Sequence, residues 1–141
     1  MLADSVAHRL RKHALKATTL QITIRDPNFK DICRQKPLPA PSCIATDFAG
    51  IAMELIEASW NFTAPIRALT LTASNLVPEG ESVEQLDLFQ TGSSARRERR
   101  ETLERTMDAI REKYGGKAIH SASLVGEDLT HRLPEEDEFP E

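Results

Sequence analysis

Three groups of residues in this 141-residue chain have types and spacing that can do chemistry. The first is a set of hydroxyl, amide and guanidinium side chains in alternating runs: Thr19, Gln21, Thr23 and Arg25, then Thr70, Thr72 and Ser74, with Arg67 just before them. On a strand, every second residue shares a face, so such groups line one surface and can hydrogen-bond phosphates and sugars without reading bases. Arg34 and Lys36 add two cations at the same spacing, and we assign them to that surface. The second group is "QLDLF", residues 85–89. As an extended peptide it would drop Leu88 and Phe89 into an apolar pocket of a partner while Gln85 bonds at the rim. As a strand it would bury Leu86 and Leu88 and leave Phe89 on the other side. Both readings stay open on the residues alone. The third is "ARRERRETLER", residues 95–105, with five Arg and three Glu. It reads either as a solvated helix laced with ion pairs or as extra phosphate contact from Arg96, Arg97, Arg99 and Arg100.

Catalytic patterns are missing. There is no P-loop, no G-x-G-x-x-G and no G-x-S-x-G. The four histidines, His8, His13, His120 and His131, are scattered, and with Cys33 and Cys43 they make no zinc pattern. The two cysteines read as small packing residues in a reducing compartment. No aromatic residue interrupts the polar strand faces, which argues against a platform for stacking single-stranded bases.

Composition bounds the rest. Apolar residues make 40 % of the chain and charged residues 28 %, which fits one soluble domain. No run approaches a membrane span and the N-terminus lacks the apolar block of a signal peptide, so we expect a cytoplasmic protein with no membrane partner. The net charge of −4 hides an asymmetry. Residues 1–38 carry eight Lys/Arg against three Asp, whereas residues 127–141 carry seven Asp/Glu against one Arg. A basic region can bind a polyanion even within an acidic chain.

The elements that must position these groups follow from periodicity. Leu2, Val6 and Leu10 predict a helix over 2–14. "TTLQITIR" alternates and predicts a strand with Leu20, Ile22 and Ile24 inward. "DPN" turns the chain into a second strand, "FKDICRQKPL", which Pro37 and Pro39 should stop. Thr46 or Asp47 caps a helix to about Trp60, with Phe48, Ile51, Ala52, Leu55, Ile56 and Ser59 inward. "IRALTLTAS" is a third strand. A long helix over 94–114 carries Leu103, Met107, Ile110 and Tyr114 as its apolar stripe and the i, i+4 pairs Arg97–Glu101, Arg100–Glu104 and Glu101–Arg105. "GG" at 115–116 stops it, and "KAIHSASLV" is a fourth strand. The polar, acidic stretch 126–141 is expected to be disordered. The fold class is therefore α+β: a small, mainly antiparallel sheet of about four strands with two principal helices on one face.

Four blocks, in order, carry a resemblance: "LRKHALKATTLQITIRDPNFKDICRQKPLPAPS", "AMELIEASW", "PIRALTLTASNLVPEGESVEQLDLF" and "LERTMDAIREKYGGKAI". Together they resemble, over residues 2–124, the C-terminal little-finger domain of Y-family translesion DNA polymerases of the DNA polymerase IV type. The resemblance implies a domain over 1–125 whose four-stranded sheet lies along primer–template duplex DNA. It implies a backbone-contacting role for Arg34, Lys36, Arg67, Thr70 and Thr72. Gln21, Thr23 and Arg25 join them by alternation alone. Gln85, Leu86, Asp87, Leu88 and Phe89, in the loop 83–92, are similar to the peptide that docks on the bacterial sliding clamp. Nucleotidyl transfer and its magnesium would belong to a palm domain, with fingers and thumb, in a longer parent chain. The residues here would be non-catalytic and hold no cofactor. The family's first strand has no counterpart, so a sheet edge is expected to stand open, covered by "AIHSASL" or by a second copy. Two alternatives remain: a stand-alone clamp-binding adaptor, and a generic α+β nucleic-acid-binding module whose "QLDLF" is an edge strand.

Overall fold

A computed structural model describes residues 1–81 and 91–122, with side chains from residue 94 in the second stretch. The segment 85–89 and the acidic stretch 126–141 lie outside the described residues. The element order is α1 (Leu2–Lys12), β1 (Leu15–Arg25), β2 (Asp31–Ser42), α2 (Ala45–Ser59), β3 (Ala68–Pro78) and α3 (Thr91–Tyr114). The strands form one antiparallel sheet in the order β2-β1-β3. The α+β class is as expected, but the described sheet has three strands rather than about four. "KAIHSASLV" supplies no strand over its described part. Gly115 instead takes φ +97°, which a side chain would resist, and its amide donates to the Arg111 carbonyl at 2.8 Å. Ala118 then donates back to the Gly115 carbonyl and the chain turns. Among the described residues, the outer edge of β3 has no strand partner.

β1 is central because its apolar residues alternate without a break. Leu20, Ile22 and Ile24 are all fully buried, and Phe48 and Ile44 close the core above them. Full burial of each such side chain contributes about 1.5–3 kcal/mol. Leu20 joins Ala3, Ala7, Leu10, Ala17, Leu38, Cys43 and Phe48 in one cluster, while Ile22 and Ile24 pack with Ile56 in a second. Leu71 of β3 touches both.

Three local expectations are corrected. In α1 the buried stripe is Ala3, Ala7 and Leu10. Leu2 is exposed and Val6 is half-buried, since small alanines let the helix come close to its neighbours. β2 does not stop at its prolines but runs on to Ser42. It is an edge strand, and Pro37, Pro39 and Pro41 fall at alternate positions, so one side of it needs no amide donors. The ladder also slips there: Thr19 pairs with Pro37 but Ala17 pairs with Ser42, so the proline segment bulges against one β1 residue. Finally, neither Thr46 nor Asp47 caps α2. The helix begins after Ile44, and the Ala45 amide donates to the Glu104 carboxylate of α3 at 2.9 and 3.0 Å. The cap comes from 59 residues away in sequence.

α3 is seated by charge. No α3 residue enters either core cluster. Arg11 of α1 is 6 % exposed and lies beneath α3, donating to Asp108 at 2.6 and 3.0 Å, to Glu104, and to the Cys43 carbonyl at 2.8 Å. Lys16 meets Glu101 at 3.1 Å, Arg111 meets Asp4 at 3.1 Å, and Arg100 meets Asp47 at 2.8 Å. Arg105 joins Glu79 and Glu101. Of the expected pairs within the helix, Glu101–Arg105 forms at 3.0 Å, whereas Arg100 and Glu104 are drawn to α2 and α1.

Burial acts against ionisation of Asp108 and Glu101. Bonds to Arg11 and His8, and to Arg105 and Lys16, outweigh it and hold both carboxyls below their ordinary range. Unfolded carboxylates therefore take up protons first, so their stabilisation, present above about pH 4–5, is lost as pH falls through the lower folded values. Glu104 has the opposite sign, because burial outweighs the Ala45 amide and Arg11 and pushes its carboxyl up. It returns part of the loss. The expected result is a net fall in Tm between pH 6 and 3 that shrinks in an Asp108→Asn variant. A calorimetric pH series measures it.

The cysteines divide. Cys43 is 1 % exposed and burial pushes its thiol up to about 11. Cys33 is exposed, which corrects its reading as a packing residue. A maleimide should label one thiol per native chain and a second only after unfolding, as mass spectrometry would count.

Candidate nucleic-acid interface

The three strands set the site by register. Residues directly opposite in an antiparallel ladder share a face. Thr23 lies between Cys33 and Thr70, Gln21 between Gln35 and Thr72, and Thr19 between Pro37 and Ser74. Arg25 lies between Asp31 and Ala68. These rows form the face opposite Leu20, Ile22 and Ile24, whose side the helices cover. Their side chains are exposed or half-buried. Thr23 and Cys33 approach to 3.3 Å, and the Asn75 amide donates to Thr19 Oγ1 at 3.0 Å. Gln21, Thr23, Thr70 and Thr72 are thus brought together as expected.

Arg34 and Lys36 are not on this face. Arg34 pairs with Ile22 and Lys36 with Leu20, so both share the helix side of the sheet. They stay exposed because β2 is the edge strand. Lys36 bonds to Glu54 of α2, and Arg34 donates to the Cys33 carbonyl at 2.8 Å. Cys33 and Gln35 hold the places expected for them. The parity was legible: Ile32 and Leu38 are the apolar residues of β2, and Arg34 and Lys36 share their parity. Leu38 is buried and Ile32 packs on the second core cluster.

The open face carries little free charge. Arg25 makes two bonds to Asp31, at 2.7 and 2.8 Å. Those bonds hold the Asp31 carboxyl below its ordinary value and raise Arg25. Arg67 lies just before β3, at the end of the sheet. Its amide donates to the Arg25 carbonyl at 2.9 Å, and its guanidinium sits 4.2 Å from the Phe29 ring centre. Phe29 belongs to the β1–β2 turn, where Asp26 Oδ1 accepts the Lys30 amide at 2.9 Å. The site is therefore a field of hydroxyl and amide groups with cations at its rim. It can accept and donate hydrogen bonds over an extended polar ligand. Among the described residues no group of three or more His, Cys, Asp or Glu could hold a metal ion, and no helix is long and apolar enough to cross a membrane.

Among the described residues the molecule is thus an α+β domain, with helices on one side of a small antiparallel sheet and a polar surface on the other. The chain belongs to the impB/mucB/samB family: the model of that family's C-terminal domain matches residues 1–88. It is similar to DNA polymerase IV of Acetivibrio thermocellus, 32 % identical over 133 residues, which is 94 % of this chain and 33 % of that protein. It is also similar to DNA polymerase IV of Bacillus velezensis, 33 % identical over 124 residues, covering 88 % of this chain and 29 % of the relative. DNA polymerase IV 1 of Bacillus subtilis is 32 % identical over 124 residues, with 88 % and 29 % covered. The chain thus spans about a third of the length of these relatives.

Proposed function

We propose that this chain is the DNA-binding and clamp-binding C-terminal domain of an error-prone, lesion-bypassing Y-family DNA polymerase acting in DNA repair in the cytoplasm. The domain spans 1–125, with a clamp-binding segment at 83–92 and an acidic tail from 126, and is non-catalytic by itself. Magnesium and nucleotidyl transfer are the work of the palm of the parent enzyme. The observation that carries the reading is the Thr/Gln surface of the sheet, uncovered among the described residues, in a chain similar to DNA polymerases IV. Gln21, Thr23, Thr70 and Thr72 offer neutral hydrogen bonds to phosphate and sugar, and Arg67 supplies charge at the rim. Arg25 meets phosphate only by sharing its guanidinium with Asp31. Arg34 and Lys36 would act from the strand edge rather than from the face. Gln85, Leu86, Asp87, Leu88 and Phe89 dock on the sliding clamp.

Cys33 is a built-in footprint probe for the face. Duplex DNA should slow its alkylation several-fold while leaving the labelling of a cysteine placed at Glu57 on α2 unchanged. Duplex binding without protection of Cys33 would move the DNA to the Arg34–Lys36 edge and overturn the face assignment.

A second reading has its own support. The Arg25–Asp31 and Lys36–Glu54 pairs leave the sheet poor in free positive charge, which favours an adaptor that binds the clamp and no DNA. Clamp binding with no measurable duplex binding at low salt would select it. The outer edge of β3 also invites self-association, since among the described residues no strand pairs with its eleven residues there. Sedimentation equilibrium should show a concentration-dependent dimer, and a strict monomer at high concentration would remove the idea.

A further inference from the structure

The β1–β2 turn holds an aromatic ring in a strained position that the core does not use. The Phe29 amide donates to the Asp26 carbonyl at 3.1 Å and closes the turn, and the Asp26 amide ties it to the Lys30 carbonyl at 3.0 Å. Phe29 thereby takes φ +63°. Hairpins usually give such a left-handed position to glycine, because a bulky side chain resists it. Here the position holds phenylalanine, and its ring is 64 % exposed. Neither the turn nor the core accounts for that choice. Phe62, between α2 and β3, repeats the pattern at φ +57° and 60 % exposed. Arg25 pairs with Ala68, so both aromatic residues sit at the same end of the sheet. Backbone strain of this kind clusters where ligands are held.

One face of the Phe29 ring is taken by Arg67, whose guanidinium lies over it 4.2 Å from the ring centre. The Arg67 amide is anchored on the Arg25 carbonyl at 2.9 Å. The exposure of the ring leaves the rest of the stack to solvent. A guanidinium on an aromatic ring is a planar, cationic pile, and the layer that fits it next is a flat π system. Lys30 follows Phe29 in the chain, and neither Lys30 nor Arg67 makes an ion pair among the described residues. The acids at this end are engaged: Asp26 Oδ1 accepts the Lys30 amide at 2.9 Å, and Asp31 binds Arg25. A stacking ring beside two cations suits a base that carries a phosphate. Inside a duplex both faces of a base are covered by its neighbours, so the ring can take only an unpaired one. The stack also adjoins the polar face. Arg25, Asp31 and Ala68 form the last row of that face, and Phe29 and Arg67 lie just beyond it.

We propose that Phe29 and Arg67 form a stacking site for an unpaired nucleobase, placed where a single strand leaves a duplex held on the Thr/Gln face. The inference rests on the reading of that face as a duplex site. It adds a contact to a base, where the hydroxyl and amide groups of the sheet meet only sugar and phosphate.

The test measures the affinity of the full chain for two primer–template duplexes of equal length. One carries a 5′ overhang of thymidines. In the other the overhang is abasic, so every phosphate is kept and only the bases are missing. The wild-type chain should bind the first at least about fivefold more tightly, the effect of stacking a single base. Phe29→Leu should bind both at the abasic level, whereas Phe29→Tyr, which keeps the ring, should keep the preference. The ring is exposed, so neither variant should disturb the fold, which circular dichroism checks. Equal affinity of the wild type for the two duplexes, or a preference that survives in Phe29→Leu, would overturn the inference and leave duplex binding in place. No binding to either duplex would remove the reading of the sheet face as well.

Discussion

Replacing Arg11 by alanine should destabilise the domain by about 3–5 kcal/mol, a large share of the 5–15 kcal/mol of a typical domain. The Arg11 guanidinium touches Glu104, Asp108 and the Cys43 carbonyl at once. Without it, two carboxylates remain in a partly buried seat with only His8, Arg111 and the Ala45 amide beside them. The loss is the penalty of leaving those charges unpaired, not the worth of the ion pairs. A triple variant, Arg11→Met, Glu104→Leu, Asp108→Leu, separates the two. It removes the charges along with their partner and should recover much of the stability. Urea unfolding of the three proteins, followed by circular dichroism, measures the difference. Equal losses in the single and triple variants would mean that the charges themselves hold α3. In the alanine variant α2 should also fray at its start, because Glu104 caps it.

The Leu88→Ala, Phe89→Ala variant should lose binding to a bacterial sliding clamp by at least a hundredfold. The proposed docking mode places both side chains in an apolar pocket, and truncating buried anchors of that kind costs about 2 kcal/mol or more each. Calorimetric titration of the wild-type chain and the variant gives the answer. Micromolar binding abolished in the variant supports a clamp-docking segment. Identical weak binding by both would assign the contact to another surface. Unlike the Arg11 variant, this one should leave the Tm unchanged, so the two effects separate cleanly.

Much of the fold was legible in the residues themselves. Strict alternation in β1 placed Leu20, Ile22 and Ile24 in the core and Gln21 and Thr23 opposite, since a strand has only two faces. The Asp26–Lys30 turn and the Gly115 stop depend on local backbone preferences and were equally plain. Gln21, Thr23, Thr70 and Thr72 therefore met on one face as alternation required. Arg34 and Lys36 did not, because their charge suggested an outward place while their parity with Ile32 and Leu38 had already assigned them to the other side.

What tertiary structure alone decided is the set of partners for groups that sequence spacing leaves open. Three prolines do not end β2, since its position at the edge removes the need for their amides. Glu104 caps a helix distant in sequence, and Arg100 leaves its i, i+4 partner for Asp47. The Leu103–Tyr114 stripe was visible as a pattern, but nothing local could say that Leu103 and Tyr114 would be exposed while Met107 and Ile110 are half-buried. Buried Arg11 fixes how α3 is seated, because a desolvated guanidinium requires the Glu104 and Asp108 carboxylates as partners.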